Sequence, residues 1–139
     1  MKDITVNLHD ITADPVHLPS FAKNRLKADV LRLDKIHPEI SGNKWFKLKY
    51  YLEEAGTAGK KNLISFGGAY SNHIAALACA ARSRGFSSTG FIRGEKPEHL
   101  SPALFTAIKY GMELRFLSRD HYRQKSDPSF LQSLQSEYP

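Results

Sequence analysis

From residue 62 onwards, short apolar runs that favour β-strands alternate with segments that have helical spacing. The β-favouring runs are NLISF (62–66), STGFI (88–92) and ELRFL (113–117), and the helical segments after each of them are 71–85, 101–111 and 127–138. Strands and helices that alternate in this way form open parallel sheets covered by helices. The sequence therefore predicts an α/β fold, an open parallel sheet with flanking helices.

The ends of the predicted helices carry residues that commonly start or stop a helix. Ser71 and Gly85 bound the first helix, and the second has Ser101 at its N-cap, Pro102 at its first position and Gly111 after its last. Serine accepts hydrogen bonds from free N–H groups at a helix start, and glycine adopts the left-handed conformation that ends many helices. These residues support the helical segments assigned from spacing.

The first part of the chain is less regular. Prolines interrupt short apolar pieces within residues 1–40, and only DVLRLD (29–34) alternates as a strand does. From Lys44, apolar residues recur at helical spacing, and Gly56 offers a stop. We therefore expect one strand, a loop and a helix before the regular alternation begins.

Composition limits the classes of function. With 139 residues, of which 41% are hydrophobic and 24% charged, the chain is expected to form one globular domain. The net charge is +6, but the basic residues are spread along the chain and form no dense basic block. This pattern favours binding of anionic small molecules over binding of nucleic acid. No apolar stretch approaches the ~18 residues of a membrane span. We expect neither a nucleic-acid partner nor a membrane partner.

The single cysteine and the six histidines do not suggest a disulfide or a metal site. Cys79 has no second cysteine to pair with, and its alanine neighbours indicate a buried free thiol. The histidines lack the short spacings of common metal ligands. A reducing cytoplasm is the expected compartment, and no metal is expected.

The segment FGGAYSNH (66–73) places polar residues where parallel sheets bind ligands. It follows the predicted strand 62–66, and ligands of open parallel sheets bind at the carboxyl ends of strands. Ser71, Asn72 and His73 then open a helix, whose free N–H groups favour an anion. The ordinary alternatives are that Ser71 or Asn72 only caps the helix and that His73 is packed or solvated.

Other catalytic and nucleotide-binding motifs are absent from the sequence. The two glycines of segment 66–73 do not fit the GxGxxG pattern, and the chain has no GxxxxGK[ST] phosphate loop. Ser71 is not in a GxSxG turn, which argues against a serine hydrolase.

Lys44 lies in SGNKWFKLKY (41–50), between a Ser-Gly-Asn turn and a run rich in aromatic residues. Most lysines at a helix start are solvated charges. The positive end of the helix dipole and apolar neighbours both disfavour an ammonium group, however. Because an uncharged amine attacks carbonyl groups, Lys44 is a candidate nucleophile, with a solvated lysine as the alternative.

Together, SGNKWFKLKY (41–50) and LISFGGAYSNHIAALACAARSRG (63–85) resemble the signature blocks of an enzyme family that depends on pyridoxal 5'-phosphate (PLP). This is the 1-aminocyclopropane-1-carboxylate deaminase and D-cysteine desulfhydrase family, which has the tryptophan-synthase-β-like fold called fold type II. The resemblance runs from about Leu31 to Arg93 and is weaker as far as Pro139. It implies that the chain is the N-terminal part of a two-domain fold type II PLP enzyme.

The resemblance implies which residues contact the PLP cofactor. Lys44 would form the covalent imine with the cofactor aldehyde and would take the α-proton of the substrate. Asn72 would hydrogen-bond the phenolic oxygen of the cofactor. Lys47, one helical turn beyond Lys44, would reach the cofactor phosphate, although a solvated lysine is the alternative there.

It also implies the substrate contacts. Ser71 and His73 would hold the carboxylate of a small amino acid or assist proton transfer, and Asn43 and Asn72 would line the same pocket. Histidine after Ser-Asn is frequent in desulfhydrase-like members, whereas the cyclopropane deaminases typically have glutamine. His73 therefore favours β-elimination from a D-amino acid such as D-cysteine, giving pyruvate, ammonia and sulfide. Ring opening of 1-aminocyclopropane-1-carboxylate is the alternative.

Family members are much longer than this chain, and their later part contributes a glycine-rich phosphate loop. We therefore expect residues 1–46 to belong to the large cofactor domain and residues 47–139 to form the small α/β domain, with the rest of the large domain absent. The full-length enzyme is expected to be a homodimer, and the 139-residue chain alone to be inactive. A non-catalytic α/β module that binds a small anion or a partner protein is the alternative.

Overall fold

The computed structural model describes residues 6–138. Residues 1–5, at the start of the predicted large-domain segment, and residue 139 lie outside the described residues. The strands are β1 (Ala13–Pro15), β2 (Asp29–Leu31), β3 (Asn62–Gly67), β4 (Ser87–Arg93) and β5 (Glu113–Leu117). The α-helices are α1 (Pro19–Lys23), α2 (Lys44–Thr57), α3 (Asn72–Ser83), α4 (Pro102–Lys109), α5 (Arg119–Arg123) and α6 (Pro128–Glu137). Short 3-10 turns span Leu8–Asp10, Leu33–Ile36 and Gln124–Ser126.

Strands β3, β4 and β5 form a parallel sheet in that order. In its register Phe66 of β3 lies opposite Phe91 of β4, and Phe91 lies opposite Arg115 of β5. Each connection between neighbouring strands contains a helix, as parallel pairing requires. The predicted α/β fold with a parallel sheet and flanking helices is confirmed.

Alternate residues of β3 face opposite layers of helices. The hydroxyl of Ser65 lies 3.1 Å from Nε2 of His73 in α3. The ring of the next residue, Phe66, packs against Tyr122 of α5 and Phe130 of α6, at centroid distances of 6.1 and 6.3 Å. The period of two along a strand thus separates a face that meets α3 from a face that meets α5 and α6.

Helix α3 is the centre of the core. Nine of its twelve residues are buried, and it contacts α2, α4, β3 and β4. The small alanine side chains between Ala75 and Ala81 allow the helix to approach its neighbours closely. Cys79, on the same helix, is 2% exposed, so the predicted buried thiol is confirmed. The start of α3 is therefore held firmly against the carboxyl end of β3.

The predicted ends of the later helices are also confirmed. Ser101 Oγ accepts a hydrogen bond from the backbone N–H of Leu104 at 3.2 Å, which caps α4. Gly85 and Gly111 follow α3 and α4 with φ values of +80° and +83°. A positive φ has little cost for glycine, which explains why these helices end where they do.

The strand predicted over residues 29–34 is wrong beyond Leu31. Strand β2 ends there and pairs antiparallel with β1, in a ribbon outside the parallel sheet. Nε of Arg32 donates a hydrogen bond to Asp34 Oδ1 at 2.8 Å, and the chain turns into the 3-10 helix at Leu33–Ile36. This local ion pair favours the turn over an extended strand.

The predicted stop of α2 at Gly56 is also wrong, since the helix continues to Thr57. The backbone N–H of Ala58 still bonds to the carbonyl of Glu54. Gly59, with a φ of +65°, is the glycine that takes the left-handed conformation. Gly56 is instead a helical residue, at a cost that the surrounding packing offsets.

The segment before α2 exposes much apolar surface. Its exposed large apolar side chains are Leu8, Leu18, Leu26, Val30 and Leu31. Ile40, by contrast, is fully buried within the core around α3. The division of the chain at residue 46 stays a prediction. Across residues 6–138, no helix combines the length and apolarity needed to cross a membrane.

Candidate active site

Lys44 and Asn72, the two residues predicted to contact the cofactor ring, line one cavity. Lys44 is the first residue of α2 and Asn72 the first residue of α3. The cavity between them has a volume of about 360 Å³, and Pro102 and Thr106 of α4 form part of its wall. The cavity is thus lined by the primary amine of Lys44 and the carboxamide of Asn72, each at the N-terminus of its helix.

The side chains at the starts of α2 and α3 do not cap these helices. Asn43 and Ser71 occupy the N-cap positions, but neither accepts a hydrogen bond from its helix. In α4 and α6, Ser101 and Asp127 do so. The alternative that Ser71 only caps its helix is therefore wrong. The first N–H groups of α2 and α3 keep their capacity to bind an anion.

Lys44 is held by its neighbour in sequence. Nζ of Lys44 donates a hydrogen bond to Oδ1 of Asn43 at 3.1 Å. Lys44 is half-buried, whereas the side chain of Asn43 is exposed. Asn43 therefore orients the amine of Lys44 but does not itself line the cavity, although this was predicted for it.

His73 and Lys47 line a second and larger cavity, of about 920 Å³, between α2 and β3. Ser65 of β3 also lines it, with its hydroxyl 3.1 Å from Nε2 of His73. Lys44 and Asn72 do not line this cavity. The predicted site residues therefore lie on two adjoining cavities, one with Lys44 and Asn72 and one with Lys47 and His73.

The pKa of His73 lies below its usual value of 6.5. Burial is the main cause, since it disfavours the charged imidazolium, and the positive charges of Lys44 and Lys47 add to it. His73 is therefore a neutral imidazole at neutral pH. A neutral imidazole close to two amines is able to accept a proton or a hydrogen bond.

Removing one of these charges should raise the pKa of His73. In a Lys47→Gln variant we expect the NMR titration midpoint of His73 to move up towards 6.5 but to stay below it, because burial is unchanged. Lys49→Gln is the matched control, since Lys49 interacts with the ring of Tyr50 and does not shift His73. Equal shifts in the two variants would contradict this assignment of the charges.

Two further residues, Ser65 and Ser101, make contacts around the site that no sequence motif indicates. Ser65 lies on the face of β3 that meets α3, a position that follows from the alternation of the strand, although its contact with His73 does not. The hydroxyl of Ser101 donates a hydrogen bond to the carbonyl of Ala69 and so ties α4 to the loop between β3 and α3. The cap at Ser101 was visible in the sequence, but this second contact requires the folded chain.

No family model matches this sequence. A protein from Oryza sativa subsp. japonica, named "Putative D-cysteine desulfhydrase 2, mitochondrial", is 29% identical over 103 residues. The match covers 70% of this chain and 25% of the rice protein. This match agrees with the resemblance to D-cysteine desulfhydrases at the level of sequence.

Solved structures share the fold. An ACC (1-aminocyclopropane-1-carboxylate) deaminase homologue has a TM-score of 0.75 and 24% identity, over 97% of this chain and 41% of its own. O-ureido-L-serine synthase has a TM-score of 0.66 and 17% identity, over 96% of this chain and 40% of its own. A hydrogen sulfide-producing enzyme from Fusobacterium nucleatum has a TM-score of 0.61 and 15% identity, over 95% of this chain and 39% of its own.

The chain thus spans a quarter of the rice protein and about two fifths of each of these solved structures. In sequence the chain is similar to a protein named as a putative D-cysteine desulfhydrase, and it shares its fold with solved structures that include an ACC deaminase homologue.

Proposed function

We propose that this chain contributes one part of the active site of a PLP-dependent enzyme that deaminates a small amino acid by elimination. The observation that carries the proposal is the meeting of Lys44 and Asn72 across one cavity, at the uncapped starts of α2 and α3. Two proteins similar to this chain are named as a putative D-cysteine desulfhydrase and an ACC deaminase homologue.

The residues around this cavity fit PLP in their chemistry. The cofactor aldehyde requires a primary amine, which Lys44 supplies, and its phenolic oxygen requires a donor, which the carboxamide of Asn72 supplies. The free N–H groups of two helix starts suit the anionic groups of a cofactor or a substrate. When bound, PLP supplies the electron sink for breaking a bond at the α-carbon of the substrate.

The remaining steps belong to side chains of this chain. Lys44 Nζ, oriented by Asn43 at 3.1 Å, takes the proton from the substrate α-carbon. Ser71 and the first N–H groups of α3 hold the substrate carboxylate. His73, a neutral imidazole fixed by Ser65, assists proton transfer from the adjoining cavity. Lys47, in the same cavity as His73, provides a positive charge for the cofactor phosphate.

D-cysteine is the first proposed substrate, with pyruvate, ammonia and sulfide as products. The histidine at position 73 supports this choice, because a protonatable ring suits elimination of a thiol group. The test compares the rates of pyruvate release from D-cysteine and from 1-aminocyclopropane-1-carboxylate, with the enzyme in its complete form. We expect D-cysteine to be faster, by a factor of about ten or more in kcat/KM.

His73→Gln is the matched variant for this comparison. We expect it to reduce turnover of D-cysteine more than turnover of the cyclopropane substrate, because glutamine can still bind a carboxylate but does not carry the proton. Faster cyclopropane turnover by the unsubstituted enzyme would reverse the order of the two substrates. The 139-residue chain alone is expected to show little or no pyruvate release, and robust release would overturn that expectation.

The proposal extends to partners and compartment. A homodimer is proposed for the full-length enzyme, with a small amino acid as its substrate and neither nucleic acid nor membrane as a partner. The cytoplasm is the proposed compartment, although the rice relative is named as a mitochondrial protein.

A further inference from the structure

A third cavity, of about 760 Å³, lies at the carboxyl edge of the parallel sheet. Gly68 follows β3, Gly94 follows β4 and Arg119 follows β5, and all three line it. This edge is where open parallel sheets bind ligands. None of its lining residues lines the cavities that contain Lys44 or His73.

The cavity is strongly basic. Arg93, Arg119, Arg123 and Lys125 line it. Within residues 6–138, Arg123 is the only one of these four residues that forms an ion pair. Its Nη1 atom lies 2.8 Å from Oδ1 of Asp120. Among the described residues, three of the four cations therefore have no ion-pair partner. Such a concentration of charge costs self-repulsion in the empty protein, which an anionic ligand relieves.

The ring of Tyr122 lies beside two of these cations. Its ring centroid is 5.9 Å from Cζ of Arg93 and 4.9 Å from Nζ of Lys125. The Tyr122 ring is itself held in place by the sheet, because it packs edge-on against the ring of Phe66 in β3, with a centroid distance of 6.1 Å. Two of the four cations are therefore placed by an anchored aromatic ring, which lowers the entropic cost of binding a ligand.

We propose that this basic cleft, defined by Arg93, Arg119, Arg123 and Lys125, binds a small anion that carries a diphosphate group. One phosphate carries about −1.5 to −2 charges at neutral pH, so two phosphates match the three uncompensated positive charges better than one. Arginine guanidinium groups bind phosphate oxygens in pairs, and the two unpaired cations nearest the strand ends are arginines. This site does not depend on the proposed PLP chemistry.

The test is calorimetric titration of the protein with pyrophosphate and, separately, with inorganic phosphate, at low ionic strength. We expect one pyrophosphate per chain, and binding of inorganic phosphate weaker by at least about tenfold. In an NMR titration, the backbone amides of Gly68 and Gly94 should shift on addition of pyrophosphate. Equal affinities for the two anions would overturn the diphosphate assignment, and no binding would overturn the site.

The double variant Arg93→Glu, Arg119→Glu should weaken pyrophosphate binding by at least about tenfold. The control is Arg82→Glu, Arg84→Glu, at two exposed arginines at the end of α3. It changes the net charge by the same amount and should weaken binding less than about threefold. Equal losses would show that only overall charge matters and would overturn the cleft.

Two further measurements keep this test separate from the PLP proposal and from misfolding. Lys44→Ala should leave pyrophosphate affinity unchanged, because Lys44 does not line the cleft. The milder pair Arg93→Gln, Arg119→Gln preserves size and polarity, and a loss of affinity in this pair with unchanged thermal unfolding would still support the site. Retained affinity in that pair would contradict it.

Discussion

Gly67→Ala is expected to lower the free energy of unfolding by about 2–3 kcal/mol. A Cβ atom at this position would lie 2.4 Å from Cγ1 of Ile74 and 2.9 Å from Cβ of Ser71. Ile74 is fully buried and Ser71 precedes the first turn of α3, so neither atom can move aside without moving the helix. The measurement is chemical denaturation of the variant and the unsubstituted protein.

Gly68→Ala is the matched control at the next position. A Cβ there would meet nothing within 4 Å, and the φ of Gly68 is not in the left-handed region. We expect its free energy of unfolding to change by no more than about 0.5 kcal/mol. Similar losses in the two variants would mean that the close approach of α3 to β3 is not what makes Gly67 necessary.

The close approach at Gly67 connects the fold to the candidate site. The same residue ends β3 and starts the loop that leads to Ser71, so a shift of α3 would also move Asn72 away from Lys44. Stability and the arrangement of the site therefore depend on one short contact. This is a physical reason for glycine at the first position of the Gly-Gly pair, whereas the second glycine has no comparable constraint.

The regular part of the fold could be predicted because several local signals coincide there. Apolar runs, a serine cap such as Ser101 and a terminal glycine such as Gly111 all favour the same elements, and burial agrees with them. Before residue 62 the signals conflict. At 29–34 the alternating pattern favoured a strand, but the pairing of Arg32 with Asp34 favoured a turn, and the turn prevailed because β2 has no buried face.

The site was predicted only in part, for a different reason. The adjacency of Lys44 and Asn72 follows from two strong blocks, each at the start of a helix. The separation of His73 from Lys44 into adjoining cavities depends on which way the first turn of α3 faces, and a sequence does not specify that direction. The basic cleft was missed because Arg93, at the end of β4, is brought to the cations of segment 119–125 only by the fold.

Lys44 is expected to react selectively with PLP. Borohydride reduction of a mixture of the protein and PLP should fix the cofactor at Lys44 at least about tenfold more than at other lysines, because Lys44 lines a cavity beside two helix starts whose free N–H groups suit the cofactor phosphate. Peptide mass spectrometry of the reduced protein locates the label. Lys44→Ala should remove this label and leave only weak labelling elsewhere.

The matched control is Lys49→Ala, which removes an amine from the same helix but outside this cavity, where it contacts the ring of Tyr50. It should leave the label at Lys44 unchanged. Labelling that is scattered over many lysines, or absent, would contradict the prediction that these 139 residues alone make Lys44 selectively reactive. We expect selective labelling without turnover, because Lys44 and Asn72 line one cavity but the chain spans only a quarter of the rice protein and about two fifths of the solved structures.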